Sequence, residues 1–274
     1  MSATVDVAVS LERPVWLEGA VGLLLPVPPR TPHQRLVEWQ LPPGWAWQLV
    51  RSENHGHEAA LVTGAVDLSA QMRYRFAEVE EPPEPRHYQP YANRFTSLPE
   101  SLRPALREIA GSPGSQREQV KRLAAYVASR FVYNSTPSAG AFPDVACDIK
   151  QGNCLDINTV FLSMLHGLGI PSSYDIGYYF KAGEKECDGW HCWVSLIADG
   201  VHEDWDIPHV LKFSTGAVEA GLNPLPGRRV CMSRGRGNRF KVRQVEVEIS
   251  HFCRPRWVMP DGSTREAPMR GTIG

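Results

Sequence analysis

Short runs in which apolar and polar residues alternate dominate the first part of the chain. Val5, Val7 and Val9 alternate with polar residues, and residues 72–79 show a similar pattern. Such alternation is typical of strands with one buried face, and Pro and Gly clusters separate the runs. We therefore predict a β-rich N-terminal domain over residues 1–95, which closes with a Pro- and Glu-rich linker.

The spacing of apolar residues then changes to that of helices. Ser115 is placed to cap a helix whose apolar residues, from Val120 to Phe131, recur at the three-and-four spacing of one buried face. A wider apolar stripe predicts a second long helix over residues 154–168. Gly169 follows it directly and ends it.

Strand patterns return after this second helix. We predict strands at residues 174–180, 191–198, 201–206 and 244–250. Asp199-Gly200 is a strong signal for a tight hairpin between the second and third of them. Helices followed by strands within one segment are typical of an α+β fold with a helical lobe and an antiparallel sheet.

The remaining boundaries follow from the same patterns. The α+β domain is expected over residues 96–254. The Arg-rich stretch 228–243 is expected to be a solvated loop. Residues 255–274, in which Pro and Gly recur, are expected to be an irregular C-terminal tail.

Charge and hydropathy exclude several classes of partner. The chain has 29 basic and 30 acidic residues, so no net field draws it to nucleic acid or to an anionic membrane. No apolar run reaches the roughly 18 residues that a membrane helix needs, and the N-terminus lacks a basic leader. We therefore expect a cytoplasmic protein that binds neither nucleic acid nor membrane.

All six cysteines lie in the second half of the chain. Free thiols are expected in a leaderless chain of this size. Cys187, His191 and Cys192 are close enough in sequence to raise a structural zinc site as an alternative. Their spacing has no matching second pair, however, and a closed zinc site needs four ligands. We expect no metal and no cofactor.

Cys154 is the candidate nucleophile. It opens the second predicted helix, where the helix N-terminus and a nearby imidazolium would lower the pKa of a thiol. Gly152 would allow a sharp turn before it and leave room for substrate beside the sulfur. The backbone N–H of Cys154 would then point towards an oxyanion.

His191 is the candidate base, between Trp190 and Trp193, which would restrict its ring. In a two-residue hairpin at Asp199-Gly200, His191 lies near the level of Asp206, which is therefore the favoured orienting acid. Asp204 is the rival, since it is two residues away and shares a strand face.

Three further side chains near these candidates receive ordinary roles. Cys192 should point to the sheet face opposite His191, so a structural role is expected for it. His202 and His209 are expected at the surface.

Four motifs carry a resemblance to a known family. Gly152-Asn153-Cys154-Leu155-Asp156 resembles the G-x-C-x-D element of the transglutaminase-like superfamily. His191-Cys192-Trp193-Val194 is similar to its H-x-W-V strand, and Leu168-Gly169-Ile170-Pro171 to its L-G-I-P turn. Asp206-Ile207-Pro208 is similar to the D-P-T element, with one inserted residue and no Thr. The four motifs occur in order within residues 115–210.

This resemblance implies a papain-like core with a Cys154, His191 and Asp206 triad. It also implies a thioester acyl-enzyme, formed from a peptide, an amide or a carrier-bound acyl substrate. Water would resolve it in a peptidase or amidase, and an amine in a transglutaminase-like reaction that forms an amide. The family often completes the oxyanion hole with an upstream side chain, for which Gln151 and Tyr133 are open candidates. A non-catalytic binding module that retains the fold is the alternative.

Overall fold

The computed structural model describes residues 4–11, 17–64, 71–136, 145, 148–187, 189–213, 216–221 and 226–274. These residues form a mixture of helices and antiparallel sheets, so the α+β fold class is confirmed. The α-helices are α1 (Arg103–Gly111), α2 (Gln116–Ser129), α3 (Cys154–Gly167) and α4 (Ile207–Phe213). The strands are β1 (Thr4–Leu11), β2 (Gly22–Pro26), β3 (Gln34–Gln40), β4 (Trp47–Arg51), β5 (Glu58–Val62), β6 (Gln71–Glu78), β7 (Phe131–Tyr133), β8 (Lys150–Gly152), β9 (Ser172–Lys181), β10 (Glu186–Cys187), β11 (His191–Ala198), β12 (Val201–Trp205), β13 (Gly227–Arg234), β14 (Asn238–Val242), β15 (Val245–Ile249), β16 (Arg256–Val258), β17 (Thr264–Glu266) and β18 (Met269–Ile273).

The chain forms two compact units. Unit 1 comprises residues 1–82, 176–191 and 227–274, and unit 2 comprises residues 83–175 and 192–226. The division passes inside β9 and β11, and we describe β11 whole with unit 2 because seven of its eight residues lie there. The predicted boundary near residue 95 stays a prediction.

Unit 1 is built on two five-stranded sheets, with strand orders β10-β18-β1-β6-β3 and β17-β16-β2-β5-β4. Strand β1 buries alternate residues, as its sequence predicts. One apolar core is shared by strands of the second sheet and the β14–β15 hairpin. Its largest members are Leu24, Leu61, Phe240 and Phe252.

Two expectations for unit 1 are wrong. The tail after Pro255 is not irregular: it contains β16, β17 and β18, and the strands are too short for an alternation to stand out between Pro and Gly residues. The Arg-rich stretch is not a solvated loop either, since it forms β13 and β14. Arg234 and Arg236 are buried there, because long arginine stems pack against apolar surface.

Unit 2 is organised around α3. The helix cap predicted at Ser115 is present at the start of α2, in the form of a capping box, and α2 buries an apolar face at Val120, Leu123 and Val127. Helices α2 and α4 both pack against α3. Helix α3 is buried on every side along residues 154–165, so it is the central helix of the unit.

A four-stranded sheet of order β12-β11-β9-β13 carries the predicted hairpin. Val194 pairs with Trp205 and Ala198 with Val201, so the two-residue register is confirmed. Asp199 and Gly200 have φ values of 51° and 75°, both left-handed, as a type I′ turn requires. Strand β12 ends at Trp205, and α4 begins at Ile207.

A short parallel pair precedes α3. Strands β7 and β8 lie side by side, with Tyr133 opposite Gly152. The rest of the predicted loop between them falls mostly outside the described residues. Among the helices of the described residues, none is both long enough and apolar enough to cross a membrane.

Candidate active site

Cys154 is the first residue of α3 and is only 6% exposed. The cap before it is a reciprocal pair: Asn153 Oδ1 accepts from the N–H groups of Leu155 (2.8 Å) and Asp156 (3.3 Å), and Asp156 Oδ2 accepts from the Asn153 N–H (3.0 Å). The N–H of Cys154 takes no part in this cap. It therefore lies where a helix N-terminus offers a donor to an anion.

Gly152 is needed for a different reason than the sequence indicates. It does not have a positive φ, so no left-handed turn requires it. A Cβ at this position would approach the Phe131 ring to 2.7 Å. Glycine at the end of β8 thus allows the Phe131 ring of β7 to pack against the backbone two residues before α3.

The thiol of Cys192 lies against that of Cys154, with which it forms a hydrogen bond. Asn158, one helical turn after Cys154, fixes this neighbour: its Nδ2 donates to the Cys192 carbonyl at 2.9 Å and contacts the Cys192 sulfur at 3.3 Å. Cys192 is therefore part of the site, and the expectation of a purely structural role misses this contact.

The pKa of Cys154 is raised well above the ordinary value of a thiol. The hydrogen bond that the Cys154 thiol donates to the Cys192 side chain is the largest cause, followed by burial and by the charges of Cys192 and Asp206. The expected lowering of the Cys154 pKa is therefore wrong. The resting thiol is thus neutral, and a base must take its proton before or during attack.

Asp206 lies just beyond the end of β12 and is 2% exposed. Its carboxylate, the His191 imidazole and the His209 imidazole each offer one atom within 4.8 Å of the others. Because Asp206 also raises the pKa of Cys154 by its charge, it faces the candidate nucleophile as well. The structure thus places Asp206 beside His191, and its charge acts on Cys154.

Asp204 makes contacts elsewhere. It pairs across the hairpin with Ser195, whose hydroxyl donates to Asp204 Oδ1 at 2.5 Å. The same hydroxyl lies 2.9 Å from Asp175 Oδ2. These contacts favour Asp206 over Asp204 as the acid beside His191.

Tyr133 and Gln151 differ sharply in their surroundings. Gln151 is exposed, and its Oε1 accepts from Asn134 at 2.6 Å. Burial and then the charges of Cys154, Cys192 and Asp206 raise the pKa of Tyr133 to about 12. The Tyr133 phenol therefore faces the site as a protonated group, able to donate a hydrogen bond.

Trp190 and Trp193 are the two tryptophans that the sequence predicts beside His191. Trp190 lies against His251, with ring centroids 5.1 Å apart, and Trp193 is buried. The histidine contact of Trp190 is thus with His251, a residue to which the sequence assigned no role.

A cation could be held by His191, Asp206 and His209, since their ligand atoms are close together. Within the described part of the chain, Cys187 and Cys192 join no such cluster of three, so the zinc alternative gains no support. The described cysteines, Cys154, Cys187, Cys192, Cys231 and Cys253, are free thiols, as expected.

Two residues of the site escape sequence reasoning. The sequence signal for Asn158 is its position one helical turn after Cys154. His209 was expected at the surface but is 5% exposed. Its spacing three residues after Asp206 is the available signal, because a residue at that distance from a helix-capping acid lies beside it.

A buried thiol opens a central helix, and a histidine and an acid lie close together at the β11–β12 hairpin, as in a papain-like α+β arrangement. Residues 103–205 match the model of the transglutaminase-like superfamily, which confirms the resemblance for that segment. Asp206 lies one residue beyond the match. No curated protein matches the chain.

Three solved structures resemble this chain to different extents. A Cytophaga hutchinsonii protein, provisionally named a cysteine protease, has a TM-score of 0.53 at 12% identity, covering 100% of this chain and 98% of that one. A protein named as a TGase has a TM-score of 0.31 at 14% identity, covering 52% of this chain and 42% of its own. A Parabacteroides distasonis protein, provisionally named a protease, has a TM-score of 0.34 at 13% identity, covering 82% and 48%. The first supports the fold over the whole chain.

Proposed function

We propose that this protein is a thiol-dependent acyl-transfer enzyme. The observation that supports the proposal is the buried carboxylate of Asp206, which lies close to the His191 imidazole and whose charge acts on the buried thiol of Cys154. Nucleophile, base and orienting acid are the three parts that this chemistry requires. No cofactor is needed for it.

The reaction begins with a neutral thiol, because the pKa of Cys154 is raised. His191 accepts the thiol proton as the sulfur attacks the carbonyl carbon of an amide or thioester. Asp206 stabilises the imidazolium that forms and keeps its ring oriented. The imidazolium then returns the proton to the leaving amine or thiol, which leaves a thioester on Cys154.

The oxyanion of the tetrahedral intermediate needs two donors. The Cys154 N–H is one candidate, since the helix cap does not use it. The Tyr133 hydroxyl is the second, because it faces Cys154 and stays protonated. Gln151 is less suited, since it is exposed and bound to Asn134.

The acyl donor is a peptide, another amide or a carrier-bound acyl group. Water is the default acceptor for the thioester, which favours a peptidase or amidase. Aminolysis, with formation of a new amide, uses the same residues. Competition between water and an added amine such as glycine methyl ester, followed by product mass, separates the two outcomes.

Alkylation of the cysteines by iodoacetamide tests the proposal. We expect Cys154 to react faster than the buried Cys231 and Cys253, and to lose that advantage in His191→Ala. Its neutral resting thiol is the one observation that favours a binding module without activity. If Cys154 is alkylated no faster than Cys231 and Cys253, or at the same rate in His191→Ala, the result would favour a binding module.

A further inference from the structure

Two imidazoles approach the Asp206 carboxylate, and the triad uses only one of them. We infer that His209 is a positioning residue, which holds Asp206 in the orientation that His191 requires. The inference rests on the function proposed above, because it assigns His209 a part in the same reaction. His209 acts through Asp206 and touches no reacting atom.

The start of α4 brings His209 to Asp206. Asp206 directly precedes the helix, and its Oδ1 accepts from the backbone N–H of His209 at 3.2 Å. The Asp206 carbonyl accepts from the N–H of Val210 at 3.4 Å. This cap turns the His209 side chain back over the acid, where Nδ1 lies 3.1 Å from Asp206 Oδ2.

The His209 ring has little freedom to leave this position. Its side chain is 6% exposed. Phe213, one turn further along α4, packs against it with ring centroids 5.4 Å apart. The imidazole is thus clamped between a carboxylate and an aromatic ring.

The Asp206 carboxylate needs polar groups around it. A buried charge is costly unless polar partners surround it, and Asp206 is almost fully buried. One oxygen faces a backbone N–H of α4 and the other faces the His209 ring. Both oxygens thus have a neighbour on α4, and these contacts favour one orientation of the carboxylate when His191 gains its proton.

The position of His209 coincides with the departure from the family motif. Asp206-Ile207-Pro208 resembles D-P-T with an inserted residue and no Thr, and His209 follows it directly. A polar side chain is thus available at this point of the chain although the threonine is missing.

His209→Leu removes the ring nitrogen and keeps an apolar side chain for Phe213, whereas His209→Asn keeps an N–H donor near the Nδ1 position. With p-nitrophenyl acetate as the acyl donor, measured in EDTA, we expect kcat of His209→Leu to fall about 10- to 100-fold, as for other supporting residues. KM should change less than about twofold, since the residue contacts no substrate. His209→Asn should recover most of the loss.

His202→Leu is the matched control. His202 also faces an aspartate, with Nε2 3.6 Å from Asp204 Oδ1, but lies outside the site. Its kcat should stay within about twofold of the wild type. Thermal unfolding of each variant shows whether it folds. If His209→Leu does not fold, the kcat values of His209→Asn and His209→Gln are compared instead.

A double-mutant cycle separates positioning from general stabilisation. If His209 acts through Asp206, the Asp206→Asn, His209→Leu double variant should be no slower than Asp206→Asn alone. Two losses that multiply, or a His209→Leu enzyme as fast as the wild type, would overturn the inference while leaving the proposed function intact. A wild type no faster than Cys154→Ala would instead refute the proposed function, and the inference with it.

Discussion

The sulfur of Cys154 lies under opposing influences. The helix N-terminus favours a thiolate, whereas Cys192, burial and the Asp206 charge favour the neutral thiol and prevail. A sequence reveals the helix start but not a second thiol brought in from β11. This explains why a candidate nucleophile could be proposed from its motif while its protonation state could not be predicted.

Removal of the neighbouring thiol should make Cys154 more acidic. In Cys192→Ala the hydrogen bond that most raises the Cys154 pKa is lost, so the thiolate forms at lower pH. The rate of Cys154 alkylation, measured against pH, should therefore shift to lower pH. Cys253→Ala is the control, and an equal shift in that variant would contradict the explanation.

The Tyr133 hydroxyl should act on the reaction rather than on substrate binding. In Tyr133→Phe the second oxyanion donor is removed, and kcat should fall about 10²- to 10³-fold with KM little changed. Steady-state kinetics with p-nitrophenyl acetate provide the measurement. Tyr126→Phe removes a hydroxyl from α2 and should have no such effect, and a normal kcat in Tyr133→Phe would exclude this role.

At the scale of helices and strands, the sequence predicts well those features that depend on interactions between residues close in the chain. The Ser115 cap, the α3 boundaries and the Asp199-Gly200 register follow from neighbours in sequence, and the structure has them. The strands after Pro255 depend on pairing with β1 and β2, more than two hundred residues away along the chain. No local pattern reveals such partners, so this part of the prediction failed.

The cap of α3 should matter for both stability and activity. Asn153→Ala breaks the capping box, which costs about 1 kcal/mol of unfolding free energy, and loosens the turn that carries Cys154. Ser115→Ala breaks the equivalent box at α2 and should cost a similar amount. The free energy of unfolding is measured in urea, and kcat is measured for both variants. We expect kcat to fall in Asn153→Ala and to persist in Ser115→Ala. Equal kcat values would contradict a role for the turn before Cys154.

At the scale of the whole molecule, the C-terminal strands complete both sheets of unit 1. Strand β18 lies between β10 and β1, and β16 lies between β17 and β2. A chain that ends at residue 254 would leave the edges of β1 and β2 unpaired, and exposed edges of this kind promote aggregation. We expect the truncated protein to be insoluble or aggregated by size-exclusion chromatography, and a soluble monomer with an unchanged melting temperature would contradict the assignment.

The proposed triad illustrates what a sequence can and cannot supply. Motif order and the hairpin register were enough to propose Cys154, His191 and Asp206 as one set. His209 and Asn158 were missed, because their roles depend on side-chain directions that only the packed helices α3 and α4 define.

The central claim is that Cys154 carries an acyl group during turnover. Intact mass spectrometry after brief incubation with p-nitrophenyl acetate tests it most directly. The account predicts a gain of one acetyl group per chain, located at Cys154, absent in Cys154→Ala, much slower in His191→Ala and removed by an added amine or by water. Acetylation spread equally over Cys231 and Cys253, or unchanged in His191→Ala, would contradict it.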